Sequence, residues 1–280
     1  MPNLWKIDRI LELLKHAGAT ALAYYDAPET ELKSDRSVVT RADREIEAYL
    51  AGQFDRPACG SSMIGEETVD RCGAACLETA LRQNCFIVDP IDGTASYAAQ
   101  MPLWGISVGL AENGVLTEGA IYMPFQDEAF LTCRGTLWRA ANLQGGTPDV
   151  APFQPVKMED SPAGAVGISQ RCAKHARIDF PNQAFAWASC VGNFYTMLRG
   201  RTLACLLNCK LWDCAGGIPL LRAAGFSIRT RAGRELGMKL ADEFRLDENA
   251  KYRWHLKEAA VAAPSPETAA HIWSGIHESS

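Results

Sequence analysis

A layered α/β fold is what this sequence predicts, on three observations. Helix-like and strand-like apolar patterns alternate along the chain, which argues for helices packed on sheets. The run Cys85-Phe86-Ile87-Val88 is apolar or soft at every position, as a strand covered on both faces would be. With 280 residues, 48% of them hydrophobic, the chain can bury a substantial core as one large domain or two coupled halves.

Leu4, Ile7, Ile10, Leu11, Leu14, Ala17 and Ala21 recur at three and four residues, which predicts a first helix with one apolar face ending near Tyr25. A polar segment follows, in which Val38-Val39-Thr40 precedes an amphipathic helix opened by Asp43 and continued by Ile46 and Leu50. Next, the short run Ser62-Met63-Ile64 leads into Gly65-Glu66-Glu67, and a polar connection rich in Cys and Ala reaches the central strand. Beyond Thr94, Trp104 to Leu110 and Leu116 to Tyr122 flank Asn113-Gly114, a strong hairpin signal, and Glu128 to Cys133 reads as another strand. Gly145 to Pro162 is Gly/Pro-rich and polar, and divides the chain into subdomains of about 1–145 and 160–280. The second half holds a strand near Ala165 to Ser169, an apolar helix over Val191 to Leu198 and a buried strand over Leu203 to Leu207. Asp213 then opens an apolar helix through Leu221 and Ala224, Ala259 to Ala263 forms a final strand, and a helix and tail follow Pro264.

The stretch Asp89-Pro90-Ile91-Asp92-Gly93-Thr94 is where chemistry begins. Pro90 cannot continue a central strand, so the strand should stop at Asp89 and a stiff turn should hold Asp89 and Asp92 toward one small volume. Gly93 permits close backbone approach, and Thr94 adds a hydroxyl at a helix start, where free N–H groups favour an anion. The segment offers oxygen ligands beside a phosphate cradle, although the same residues also make an ordinary polar turn. Taken singly, Asp43 and Asp213 read equally well as helix-start acids and Glu66-Glu67 as a solvated turn.

Composition narrows the partners. A net charge of −5 and a pI near 5.6 give no general attraction to nucleic acid polymers or anionic membranes, and no stretch reaches the roughly 18 apolar residues of a membrane span. The first residues lack the apolar core of a secretion signal, so a cytoplasmic location is expected. Ten cysteines without a CxxC pair are then expected to be reduced and mostly buried. Cys72/Cys76 and Cys205/Cys209 have helix-like spacing, but no nearby His completes a zinc site.

Read in order, Val39-Thr40 followed by Asp43, then Gly65-Glu66-Glu67, then the hexapeptide Asp89 to Thr94, then Trp212-Asp213-Cys214-Ala215-Gly216-Gly217, the chain resembles the inositol monophosphatase family of magnesium-dependent phosphatases over about residues 30–230. The resemblance implies an αβαβα sandwich of the sugar-phosphatase kind and a homodimer. It implies that Glu66, Asp89, the Ile91 carbonyl, Asp92 and Asp213 hold two or three Mg²⁺ ions. Thr94 and Glu66 would position the attacking water with Asp43 bonded to Thr94, the Gly93 and Thr94 amides would hold phosphate, and Asp92, Ser189 and Asp213 would face the substrate. The convergence of so many carboxylates agrees with this, because like charges cannot all stay ionised without cations. An aspartyl-phosphate mechanism of the D-x-D-G-T kind is excluded, since Pro90 stands where that nucleophile would be.

The substrate half departs from the family pattern. Leu206 stands where members acting on inositol phosphates carry an acid, no acid lies between Thr202 and Trp212, Ala223-Ala224-Gly225-Phe226 replaces the usual E-A-G-G, and Ala188 replaces a glycine before Ser189. A small phosphorylated polyol or sugar remains the first expectation. Histidinol phosphate, toward which Leu103-Trp104-Gly105 leans, fructose 1,6-bisphosphate and 3′-phosphoadenosine 5′-phosphate are the alternatives, with Arg171 and Lys174 as candidates for a second phosphate. A different class, a non-catalytic metal-binding regulatory protein, is disfavoured by the intact ligand set.

Overall fold

The computed structural model describes residues 5–33 and 37–278; Leu4, residues 34–36 of the polar segment and the last two residues of the tail lie outside this range. The first part of the chain forms α1 (Ile7–Tyr25), the ribbon β1 (Thr30–Leu32) and β2 (Val38–Thr40), α2 (Arg41–Phe54), β3 (Ser61–Gly65), α3 (Ala74–Arg82), β4 (Asn84–Asp92) and the short α4 (Thr94–Ala98). A meander follows: β5 (Gly105–Glu112), β6 (Val115–Met123), β7 (Glu128–Cys133), β8 (Thr136–Ala141) and β9 (Asp149–Pro152). The rest comprises β10 (Val166–Gly167), α5 (Gln170–His175), β11 (Ala176–Ile178), β12 (Ala184–Phe185), α6 (Cys190–Leu198), β13 (Ala204–Leu207), α7 (Leu211–Ala215), α8 (Gly217–Ala223), β14 (Ser227–Thr230), α9 (Leu240–Glu243), β15 (Ala260–Ala263), α10 (Pro266–Ser274) and β16 (Ile276–Glu278).

Strands β3 to β9 form one sheet in sequence order, parallel only between β3 and β4. A second sheet runs β12-β10-β13-β15-β14. The alternation within β4 shows how the layers form. Phe86, Val88 and Ile91 pack with α1 and α2, whereas Cys85 and Ile87 face the cluster of Val191, Phe194, Trp212 and Leu220 from α6, α7 and α8. The second sheet covers the far side of those helices with Cys205, Leu207 and Ala262, and buries Leu206, Val261 and Ala263 against Ile272 and Trp273 of α10. Helix, sheet, helix, sheet, helix is the sandwich expected from the resemblance.

Several local expectations change. The central strand does not stop at Asp89: pairing resumes at Asp92 opposite Gly105, with one extra residue on β4 between Asp89↔Ser107 and Asp92↔Gly105. Pro90 is tolerated because that bulge needs no N–H from it. The Cys/Ala-rich connection contains α3. Strand β9 falls inside the predicted connection and pairs with β8, and β16 follows what was expected to be the final strand. The apolar helix after Asp213 is two helices, because Pro219 cannot bond back to the Ala215 carbonyl. Instead, Gly216 N–H donates to Ser107 Oγ at 3.2 Å, and that hydroxyl donates to the Trp212 carbonyl at 2.9 Å. These bonds fix the position of Asp213 relative to β5. No helix among the described residues is long and apolar enough to cross a membrane.

The junction of α7 and α8 lies so close to β6 that a Cβ on Gly119 would stand 2.2 Å from the Gly216 carbonyl oxygen. Gly119→Ala should therefore destabilise the protein by about 1–3 kcal/mol, an overpacking cost. Urea unfolding with an unchanged m-value reads this, and an unchanged midpoint would refute the tight contact.

Candidate active site

An open cleft of about 360 Å³ lies where the two sheets and the middle helices meet, and Glu66, Asp89, Ile91, Asp92, Gly93, Thr94, Ser189 and Asp213 all line it. Asp89, Asp92 and Asp213 each bring one carboxylate oxygen within 4.8 Å of the others. Asp43 sits behind Thr94, fully buried.

Asp43, Asp92 and Asp213 are each held by the start of a helix, and Asp89 by the bulge of β4. Asp43 is the third residue of α2: it accepts from the Thr40 backbone N–H at 2.8 Å and from the Thr40 hydroxyl, a reciprocal cap. Its other oxygen is 3.5 Å from Thr94 Oγ1, which also donates to the Ile91 carbonyl at 3.0 Å. Asp89 Oδ1 accepts from Ile91 N–H at 3.1 Å, so the bulge closes on its own side chain. Asp92 Oδ2 accepts from the Ser189 hydroxyl and from Val191 N–H at 2.7 Å, at the first turn of α6. Asp213 accepts from Lys210 N–H at 2.8 Å across the first turn of α7.

Burial dominates the electrostatics. It pushes Asp92 up to about 7 against the bonds from Ser189, Val191 and Cys190, and Asp213 up to about 8 with help from Asp92 and Glu66. Asp89 is raised well above the carboxylate range by burial and then by Glu66, Asp92 and Asp213. Burial likewise lifts Asp43 to about 6, although its Thr40 bonds oppose it. All-oxygen donors in a site too negative to stay ionised fit a hard divalent cation.

Glu66 lines the cleft but stands outside the three-aspartate cluster. Its Oε1 pairs with Lys33 Nζ at 3.1 Å, and Lys33 also holds Glu67 Oε1 at 2.7 Å. Burial raises Glu67 to about 7 in spite of Lys33. Lys33 was missed because it sits just past a three-residue edge strand with no pattern to mark it. Ser189, expected to meet substrate, has its hydroxyl engaged with Asp92 and with the Gly192 N–H at 2.9 Å. Arg171 lines a smaller neighbouring cavity, and neither it nor Lys174 lines the cleft; among the described residues no Lys or Arg does.

The cysteine expectations need two corrections. Cys72 and Cys76 form a disulfide, Cα atoms 5.3 Å apart. Cys72 ends a short 3₁₀ turn before Gly73 starts α3, so the pair straddles a bend and does not lie along one helix. Cys205 and Cys209 do not share a helix either; Cys209 instead meets Cys190, and both residues line the cleft. Those two stand nineteen positions apart in sequence, so no spacing rule reveals them.

A five-layer α/β sandwich with buried carboxylates gathered at helix starts and a strand bulge around an open cleft defines a phosphoric monoester hydrolase. More narrowly, the chain belongs to the inositol monophosphatase family, whose model matches residues 7–277. It is 25% identical over 239 residues to a histidinol-phosphatase of Chlorobaculum parvum, covering 80% of this chain and 85% of the relative. Its fold matches an IMPase of Thermotoga maritima with TM-score 0.71 at 16% identity, over 95% and 96% of the two chains. It also matches an IMPase/NADP phosphatase complexed with Mg²⁺ and phosphate, TM-score 0.70 at 17% identity, over 99% of each.

The raised acids set a pH dependence. Asp92 and Asp213 bind protons in the folded protein that the unfolded chain has released, so their contribution is fully present below about pH 4 and is lost as pH rises through about 7 and 8. In chelator, stability should fall between pH 5.5 and 8.5, and Asp213→Asn should flatten that fall. Denaturant midpoints across the range check this; a stability that rises with pH would contradict it.

Proposed function

We propose that the protein hydrolyses the phosphate monoester of a small polyol or sugar, with Mg²⁺ as its cofactor. The observation that carries this reading is the buried cluster of Asp89, Asp92 and Asp213 with Thr94 and Asp43 beside it. Glu66, Asp89, the Ile91 carbonyl, Asp92 and Asp213 are the ligands for two or three ions. Bound there, Mg²⁺ supplies charge neutralisation at the phosphoryl oxygens and acidifies water.

The chain's own groups do the positioning. Thr94 Oγ1 faces both Asp43 and the Ile91 carbonyl, so its hydroxyl is fixed in direction and, with Glu66, orients the attacking water. Lys33 holds one oxygen of Glu66 and so restricts how that carboxylate can turn. The amides of Gly93 and Thr94 take the phosphate. Ser189 acts through Asp92, which it aims.

The substrate half is lined by Ile168, Ser169, Gln170, Leu206 and Asn208, neutral throughout. With no cation among the described lining residues, the site favours a single phosphate over a bisphosphate. Histidinol phosphate is the second reading, on the strength of the Chlorobaculum relative's coverage. A homodimer and a cytoplasmic location complete the proposal, the first testable by sedimentation.

Phosphate release, assayed with Mg²⁺ on inositol monophosphate, histidinol phosphate, fructose 1,6-bisphosphate and 3′-phosphoadenosine 5′-phosphate, should be highest on one of the first two and abolished by chelator. Turnover indifferent to chelator would overturn the metal assignment. Asp89→Asn and Asp213→Asn should each lower kcat by about 100-fold or more while the fold persists, since each removes a ligand charge that supports several kcal/mol of transition-state stabilisation. Thr94→Val should lower kcat with little change in KM; a pure KM effect would place Thr94 on the substrate instead.

A further inference from the structure

Asp213 belongs to two constellations. On one side its carboxylate meets Asp89 and Asp92; on the other it meets the thiols of Cys190 and Cys209, again with one atom from each residue within 4.8 Å of the others. The first set is all oxygen and suits a hard cation; the second is two sulfurs and one oxygen, a donor set that selects thiophilic ions such as Zn²⁺ or Cd²⁺. Three separate elements supply the second set: Cys190 opens α6, Cys209 follows β13 and Asp213 lies in α7. Cys209 belongs to the apolar cluster under the cleft and Cys190 packs against it, yet both residues also line the open cleft, which gives an ion a way in.

We propose that Cys190, Cys209 and Asp213 form a distinct site for a thiophilic divalent cation, whose occupation draws Asp213 away from the oxygen cluster. Zinc–sulfur bonds of about 2.3 Å in tetrahedral geometry place sulfurs about 3.8 Å apart, so a spacing within 4.8 Å has at most about 1 Å to close. Three protein ligands leave the fourth position open to the cleft for water. Binding releases the two thiol protons, and the proton of Asp213 where it carries one, to solvent, and the two thiolates and one carboxylate then hold the dication. Cys214, whose thiol donates to the Lys210 carbonyl at 3.3 Å, lies against Cys209. The inhibitory consequence rests on the phosphatase reading; the site itself does not.

The test is a Cd²⁺ titration of the phosphine-reduced protein, read by the ultraviolet thiolate-to-cadmium charge-transfer band. The tightest equivalent should produce the band in the wild type and in C72S/C76S, and should lose it in C190S/C209S, with circular dichroism confirming that each variant is folded. If the double variant does not fold, Asp213→Asn serves, with an expected loss of about 10-fold or more in Cd²⁺ affinity. In the presence of Mg²⁺, Zn²⁺ inhibition of phosphate release should weaken by about 10-fold or more in C209S. A band retained at full strength in C190S/C209S, or lost in C72S/C76S, overturns the site. Absence of phosphate release from every form would count against the phosphatase reading alone, since the charge-transfer band decides the site without turnover.

Discussion

Desolvated negative charge is the constraint on which the rest of this structure depends. Asp43, Asp89 and Asp92 are each at most 5% exposed, and a carboxylate in that position favours its neutral form unless donors or cations surround it. The fold answers with backbone N–H groups. Asp43 and Asp213 lie in the first turns of their own helices, and Asp92 reaches across to the first turn of α6. Three helices thus direct their positive ends at one volume, which partly offsets the repulsion. The offset is incomplete, since burial still holds Asp92 and Asp213 far above an ordinary aspartate. That residual imbalance is the physical demand for a bound cation.

The architecture follows from where those helices must start. Strand β4 carries two of the acids, and its bulge at Pro90 and Ile91 shifts the register so that Asp89 and Asp92 come to the same end of the sheet. The middle helix layer must then approach the sheet closely enough for Asp213 to join them. Gly109 and Gly119 permit it, because a side chain on either would collide with Ala215 or Gly216. Ser107 locks the approach from β5. Catalytic geometry and core packing are here the same set of contacts.

Much of this was legible in the residues. The boundaries of β7, the Asn113-Gly114 hairpin with both residues at positive φ, and α6 to within one residue follow from local patterns with strong physical signals. What was not legible shares one property, dependence on distant partners. Lys33 gains its place only because Glu66 and Glu67 arrive more than thirty residues later, and Ser189 because Asp92 lies 97 residues before it. Strand β12 has two residues, too few for any period to show, whereas the equally short β10 lies inside the strand expected near Ala165 to Ser169. Helix α3 was hidden for another reason: only Leu77 and Ala80 of its nine residues are buried, so its apolar stripe is too thin to read.

Ala188 shows how strongly the site shapes the local backbone. It stands at φ 55, the left-handed region that suits glycine, where a Cβ costs roughly 1 kcal/mol. The next residue shows what the conformation serves: Ser189 leaves this turn in extended backbone, caps α6 through Gly192 and points its hydroxyl at Asp92. A relaxed Ala188 would rotate Ser189 and with it the start of α6, leaving Asp92 without two of its donors in a site already short of positive charge. Strain at residue 188 is therefore maintained by the same carboxylate that organises the rest of the cleft.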